Sequence, residues 1–331
     1  MFKSQPNNNT ILVTGGAGYI GSQLIRDLAT DPRFAGRTIR IYDNLQRQRF
    51  AALMDLPAEG RYEFIEGDIL DRLNLERAMQ GVSTVIHLAA IVRTPLSFDH
   101  PEWTEQVNHW GTASVVEAAL GSGASQLLYT SSASVYGPGG PFKETDVCRP
   151  IGPYAISKRK GEDEILRGSK RGLSVVIVRL GTTFGNAPGM RFDGVANRLA
   201  FLCGVARPLV IHGSGEQLRP LIHVADASRA MRLCLLDARA EGQVINAVTM
   251  NPSINQVAQA LQGLVSHTSI RYTDQDILTE LSFEVDSTKL MELGFQPKFT
   301  LEDGLKQMLS RWQGFQPALT RLGKPLELDL A

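Results

Sequence analysis

A short apolar run, Ile11-Leu12-Val13, leads directly into Gly15-Gly16-Ala17-Gly18-Tyr19-Ile20-Gly21, and a helical pattern continues from Tyr19 to Ala29. The glycines read as Gly16-x-Gly18-x-x-Gly21 or as Gly15-x-x-Gly18-x-x-Gly21. Strand, glycine turn and helix in that order constrain the fold more than any other feature. The turn must be tight, the backbone must approach a pyrophosphate, and the helix must pack closely on the strand. The free N–H groups and the dipole at the helix start favour a phosphate there. A glycine pattern alone is weak evidence, so its context decides. Asp43, with Asn44 beside it, closes the second apolar run, where a carboxylate accepts hydrogen bonds from ribose hydroxyls and repels a 2′-phosphate. A dinucleotide is expected, NAD over NADP. Arg47 and Arg49 read as solvated charge. Asp68-Ile69, after the third strand, reads equally as an adenine contact or as the start of a helix over Asp71 to Met79.

The rest of the first half repeats the alternation. Strands are expected at 38–42, 62–65, 84–88, 126–130 and 174–178, with helices at 74–79, 104–120 and 154–166. The strands are β-branched and apolar on both faces, as in a parallel sheet covered by helices. The expected fold class is α/β: a Rossmann-type doubly wound parallel sheet with a smaller C-terminal α/β lobe. After Leu180 the rhythm breaks into a glycine-rich loop. Helices are then expected at 195–203, 224–236 and 254–264, and a strand at 244–247. We read residues 1–180 as the dinucleotide-binding domain and 181–331 as a substrate lobe, with a strand near 243–248 returning to the first domain.

Composition narrows the function classes. With 34 basic and 34 acidic residues the chain has no net charge, so no global field favours nucleic acid or an anionic membrane surface. The 3 cysteines are far apart and read as free thiols. The polar start of the chain lacks the apolar core of a signal peptide, and no run reaches a membrane span, so a cytoplasmic location is expected. The 6 histidines show no metal-ligand spacing, so no metal is expected, and His87, inside a strand, reads as packed and hydrogen-bonded. Phe98, Trp103 and Trp110 read chiefly as core packing of the long helix.

Tyr154 and Lys158 stand at i and i+4, on one face of a helix. A free tyrosine is too weak an acid to serve as a base near pH 7, and an adjacent ammonium would stabilise its phenolate. Upstream, Tyr129-Thr130-Ser131-Ser132-Ala133-Ser134-Val135-Tyr136-Gly137 ends a strand with hydroxyls that can meet the same substrate oxygen.

Taken in order, GGAGYIG, YDNL, GDI, HLAA, VNHWGT, SSASVYG and YAISK resemble the extended short-chain dehydrogenase/reductase family, and within it the sugar-nucleotide epimerases of the UDP-glucose 4-epimerase type. The resemblance is dense from Ile11 to about Gly185 and thinner beyond, where RPLIHVAD and LGFQP still fit. It implies Tyr154 as acid/base, Lys158 as its electrostatic partner and holder of the nicotinamide ribose, and Ser132 as the third member. Ser134 is a second hydroxyl that can meet the sugar. Asn108 supports the active-site geometry, and Leu88-Ala89-Ala90 line the dinucleotide cleft. Arg219 grips the nucleotide diphosphate, for which its bidentate fork is suited. A homodimer is implied as well. The family's 4,6-dehydratases carry Thr-Asp-Glu, and its decarboxylases a glutamate, just before Val-Tyr-Gly. Here the residues are Ser132-Ala133-Ser134, which disfavours both reactions and leaves 4-epimerisation of a nucleotide sugar as the first reading. Net dehydrogenation of a hydroxy substrate follows it, and a non-catalytic dinucleotide-binding protein comes last. Two departures concern the phosphate grip. Arg219-Pro220-Leu221 stands where Arg-Asp-aromatic is common, and the Arg-Pro-Gly-Asp stretch with its second arginine is missing, with Arg271 or Arg191 as substitutes.

Overall fold

A computed structural model describes residues 9–92, 94–266, 268–274, 282–312 and 314–315. The first half holds β1 (Thr10–Thr14), α1 (Tyr19–Thr30), β2 (Thr38–Asp43), β3 (Arg61–Glu66), α2 (Arg72–Ala78) and β4 (Val82–His87). It continues with α3 (Thr94–Asp99), α4 (Pro101–Glu105), a π-helical turn (Gln106–Trp110) and α5 (Gly111–Ser122). Then come β5 (Gln126–Ser132), a 3-10 turn (Ala133–Tyr136), β6 (Gly139–Phe142), α6 (Gly152–Ser169) and β7 (Ser174–Leu180). Beyond it lie β8 (Thr182–Phe184), α7 (Val195–Gly204), β9 (Leu209–His212), β10 (Leu221–His223), α8 (Val224–Leu236) and β11 (Val244–Ala247). The chain closes with α9 (Ile254–Leu264), β12 (Ile270–Thr273), β13 (Phe283–Val285), α10 (Thr288–Glu292) and α11 (Leu301–Leu309).

Seven strands form one sheet in the order β11-β7-β5-β4-β1-β2-β3, and every pairing in it is parallel. The α/β doubly wound class expected from the alternation is the observed one. The period-2 geometry of a strand sends successive side chains to opposite faces. Here both faces are apolar and each has its own core. Ile11, Val13, Ile86, Leu128, Val176 and Val178 pack on one side with α1 and α8. Leu12, Val85, Leu127, Val175 and Ile177 pack on the other with α2, α5 and α6. That is why the strands read as unbroken apolar runs.

Residues beyond 180 contribute to two bodies. Helix α8, strand β11 and the segment Leu290 to Phe295 join the first core of the main sheet. Helices α7, α9 and α11 enclose a separate core with Leu209, Ile211 and Leu221. Two two-stranded parallel pairs, β8 with β10 and β9 with β12, belong to this lobe, and a third, β6 with β13, packs with Ala133, Val135, Tyr136 and Val248. Among the described residues no helix is long and apolar enough to cross a membrane, and no cluster of residues could hold a metal ion.

The long helix expected over 104–120 is broken into α4, the π turn and α5. An extra residue per turn rotates the following side chains, and such turns often mark functional positions. Trp110, read as core, is instead 59% exposed and stacked on His109 with ring centroids 4.9 Å apart.

The end of α1 is tied to α8 by Asp31, which accepts hydrogen bonds from Arg33 and from Arg232. The Arg33 guanidinium first, and Arg232 with it, holds the carboxyl well below the usual carboxylate range. A depressed folded pKa stabilises the fold above the unfolded value, near 4, and that contribution is lost as pH falls. Asp31→Asn should therefore cost on the order of 2 kcal/mol at pH 7. Its deficit against the unaltered protein should shrink steadily below about pH 4. Urea unfolding at several pH values checks this, and a pH-independent deficit would refute it.

Candidate active site

The strand order reverses between β1 and β4, and in open α/β sheets ligands bind at that point, outside the carboxyl ends of the strands. A cleft of about 620 Å³ opens there, between the sheet and the C-terminal lobe. The turn after β1 and the Leu88-Ala89-Ala90 segment after β4 form its floor. Gly15 adopts φ +69°, and a Cβ on it would come within 2.6 Å of the Ala89 backbone nitrogen. A Cβ on Gly21 would meet the Gly15 carbonyl oxygen at 2.5 Å. Each close approach leaves no room for a side chain, which explains the spacing of the motif.

The N-cap of α1 is Gly18, with no side chain to satisfy the first N–H groups of the helix. Those groups face the cleft and suit a pyrophosphate. Asp43 is held rigidly: Ala17 N–H donates to its Oδ2 at 3.0 Å and Leu45 N–H to its Oδ1 at 2.9 Å. Burial pushes its carboxyl up, while the two backbone donors and Arg49 act against that. Asn44 donates to Asp68 Oδ2 at 2.9 Å, and Leu70 N–H donates to Asp68 Oδ1 at 2.9 Å. Asp68 thus caps a turn at the cleft edge, and Asp71, not Asp68, is the N-cap of α2. At the far end Ser131 Oγ lines the cleft, buried and without a hydrogen-bond partner among the described residues. A glycine cradle, an uncapped helix start, a fixed carboxylate and an unmatched hydroxyl together fit a dinucleotide.

Gly15, Gly18, Tyr19, Ile20, Gly21, Asp43, Asn44, Asp68, Ile69, Leu88, Ala89, Ala90, Ser132, Ser134, Tyr154, Lys158 and Arg219 all line this one cleft. Asn108 does not. It is fully buried behind the wall, in the π turn. Ile91 N–H donates to its Oδ1 at 2.7 Å, and its Nδ2 donates to Ile91 O at 2.9 Å and to Ser157 Oγ at 3.1 Å. With both amide protons used on those partners, Asn108 ties the segment after β4 to α6 and makes no contact with the cleft. Its place in the expected cofactor-binding set is corrected on that ground.

Strand β5 delivers Ser132 to the cleft, and α6 delivers Tyr154 and Lys158 from the adjacent side. Tyr154 and Ser132 line the same end of the cleft, and Ser132 is among the groups that lower the Tyr154 phenol. Ser134 Oγ donates to Ser132 Oγ at 2.9 Å. Burial raises the Tyr154 phenol, and the groups that pull it down are Ser132 and Arg191, where the sequence reading gave that task to Lys158. Lys158 is 3% exposed, and its ammonium lies 4.2 Å from the centre of the Tyr129 ring. Burial pulls Lys158 down to about 7, with Glu162 acting in the opposite direction. His87 bonds to Thr14 and Thr112, and burial, then Lys158, lowers it to about 3, so it is a neutral packed histidine.

The C-terminal lobe closes over this floor through its 185–194 loop. Tyr19 OH donates to Gly185 O, Asn197 Nδ2 donates to Tyr19 OH at 3.2 Å, and Gly189 N–H donates to Ser22 Oγ at 2.9 Å. Tyr19 therefore lines the cleft with its ring and uses its hydroxyl as a latch. The loop carries Arg191, paired with Asp193 at 2.6 Å, and α7 presents Arg198 to the same cleft. Arg198 carried no signal in the sequence, because only the packing of α7 turns it inward. Arg47 and Arg49 also line the cleft, Arg47 exposed and Arg49 half-buried. Arg271 is exposed on β12, outside the cleft lining, and residues 275–281, part of the stretch without the Arg-Pro-Gly-Asp motif, lie outside the described residues.

A sequence profile of the NAD-dependent epimerase/dehydratase family matches residues 11–247. The chain is 29% identical over 335 residues to the dTDP-D-glucose 4,6-dehydratase of Mus musculus, covering 93% of this chain and 92% of the mouse protein. It is 30% identical over 315 residues to the UDP-N-acetyl-alpha-D-glucosaminuronate decarboxylase of Bacillus cytotoxicus, covering 90% of this chain and 96% of that protein. The UDP-glucuronic acid 4-epimerase of Bacillus cereus, solved with UDP-glucuronic acid and NAD, superposes with a TM-score of 0.82 at 26% identity, over 91% of this chain and 98% of that one. With its parallel sheet, its glycine cradle and a profile match over most of its length, this chain is an extended short-chain dehydrogenase/reductase with NAD as cofactor, and it belongs to the NAD-dependent epimerase/dehydratase family.

Proposed function

We propose that the protein is a sugar-nucleotide 4-epimerase that works through a transient 4-keto hexose. The observation that carries this reading is the chemistry of the sugar end of the cleft. Water elimination needs a further acid and base beside the tyrosine, and Ser132-Ala133-Ser134 supplies none. Among the described residues, the carboxylates lining the cleft are Asp43, Asp68 and Asp193. Asp43 is the last residue of β2, Asp68 lies in the loop after β3, and Asp193 is paired with Arg191.

In this reading the residues around the α1 N-terminus and Asp43 hold NAD, which when bound supplies the hydride exchange at C4. Tyr154 takes the proton from the C4 hydroxyl and returns it to the same oxygen after the sugar has presented its other face. Ser132 hydrogen-bonds that oxygen throughout, and Ser134 supports Ser132. Lys158, held as an ammonium, favours the phenolate and reaches the nicotinamide ribose. Arg219, with Arg191 and Arg198 on the same wall, faces the diphosphate of the substrate. Division into a dinucleotide-binding domain completed by α8 and β11, and a substrate lobe around α7, α9 and α11, belongs to the same reading. So does a homodimer formed through α5 and α6.

Incubation with UDP-glucose, UDP-galactose and their N-acetyl and uronate analogues tests the proposal. Interconversion of C4 epimers without net NADH is expected. Stoichiometric NADH would instead assign a dehydrogenase, and loss of the C6 hydroxyl as water a dehydratase.

A further inference from the structure

Behind Lys158, away from the cleft, lies a buried polar network to which the proposed reaction assigns no role. Glu162 and Arg179 are 1% and 4% exposed. Arg179 Nε donates to Glu162 Oε1 at 2.8 Å and its Nη2 to Oε2 at 2.7 Å, a bidentate pair. Its remaining arm, Nη1, donates to Tyr136 OH at 2.8 Å, and Tyr136 OH donates to Asn246 Oδ1 at 2.7 Å. A buried ion pair is a poor device for stability, since apolar side chains of similar volume usually serve as well or better. Its presence here calls for another reason.

The connectivity supplies one. Glu162 lies on α6 with Tyr154 and Lys158, at i, i+4 and i+8 along one stripe of the helix. Tyr136 ends the 3-10 turn that begins directly after Ser132. Arg179, on β7 between them, therefore joins the element that carries Ser132 and Ser134 to the element that carries Tyr154 and Lys158. A planar guanidinium with three engaged arms fixes that spacing in a way that a single ammonium could not.

We propose that the Glu162–Arg179 pair is a positioning element of the active site, which sets the distance between Ser132 and Tyr154 and keeps Lys158 in its ammonium form. This rests on the roles given above to Tyr154 and Lys158. The groups acting on Lys158 are Glu162 from α6, Tyr129 from β5 and His87 from β4, with Tyr154 one turn before it on the same stripe of α6. His87 and the two phenols are neutral at neutral pH, so Glu162 is the anion among these described neighbours. Burial draws the ammonium down, and Glu162 opposes it.

The test uses full-length protein saturated with NAD, with the lysines labelled with carbon-13 at Cε. Lys158→Met assigns the Lys158 resonance. In the apolar double variant Glu162→Leu/Arg179→Met, neither member of the pair is left buried without the other. There the resonance should titrate about one pH unit lower than in the unaltered protein. The alkaline limb of kcat, with whichever nucleotide sugar is turned over, should move down with it. Arg179→Lys keeps the charge and loses the fork. It should leave the titration in place, lower kcat at least tenfold and change KM little. It also serves if the double variant does not fold. A purely structural pair predicts a double variant with the original titration and kcat, and an Arg179→Lys enzyme with normal kcat. Either result overturns the proposal. Turnover by Lys158→Met would instead overturn the role of Lys158 itself, a separate failure.

Discussion

Replacing Tyr154 with phenylalanine is expected to lower turnover by about 10²- to 10⁴-fold while NAD stays bound. The two effects separate because the ring and the hydroxyl do different things. The ring is half-buried on the first turns of α6, where phenylalanine occupies the same volume. Ser132, on the same end of the cleft, keeps its bonds from Ser134 Oγ at 2.9 Å and from Ser134 N–H at 3.2 Å when the phenol hydroxyl is removed. No buried group is stranded, so the fold should hold. What is lost is the proton carrier. Burial keeps the phenol protonated at neutral pH in the protein alone, so it needs help to act as a base. Ser132 and Arg191 lower the phenol; in the proposed mechanism Lys158, itself drawn to about 7, favours the phenolate only while protonated. Activity should therefore fall as pH rises through the Lys158 titration. Turnover by the phenylalanine variant close to that of the unaltered protein, with NAD retained, would rule out Tyr154 as the acid/base.

Much of this site was readable from sequence because its parts are local. The glycine turn, the Tyr-x-x-x-Lys spacing and the hydroxyls after β5 each lie within a few residues, and the strands that carry them are marked by period and composition. Helices α8 and α9 fall at 224–236 and 254–264, as their periodicity indicates. What escaped is set by tertiary contact. Strands β8, β10 and β13 have three residues each and pair with partners distant in sequence, so no window of sequence marks them. The π turn is invisible to a 3.6-residue reading, and with it the reason Asn108 faces Ile91 and Ser157. Arg198 reaches the cleft through the packing of α7, which follows the 185–194 loop latched to Tyr19 and Ser22, a contact between residues more than 160 positions apart; Arg191, on that loop, is named from the sequence only as a substitute. Family resemblance could supply the role of Asn108 only in outline; the hydrogen bonds show that it acts through the wall.

The glycine turn yields the second large effect. Gly15→Ala is expected to reduce NAD affinity at least about 100-fold, a loss of roughly 3 kcal/mol. Two penalties coincide at Gly15. Its φ of +69° disfavours any side chain, and the new Cβ would sit 2.6 Å from Ala89 N and 2.8 Å from Ala89 Cα, both backbone atoms that cannot swing aside. Relief requires the turn after β1 to part from the segment after β4. That movement opens the crevice proposed to take the pyrophosphate, and it strains the Gly15 N–H bond to Tyr42 O, now 2.8 Å. Gly81 isolates the first penalty. It has φ +70° in the turn before β4, and among the described residues beyond its two chain neighbours no heavy atom lies within 4 Å of its would-be Cβ. Gly81→Ala should cost about 1 kcal/mol of stability from backbone strain alone and leave NAD binding unchanged. Thermal unfolding and NAD released on denaturation, measured for both variants, separate the two causes. Equal loss of stability with equal retention of NAD would mean that the contact with Ala89 does not shape the cofactor site.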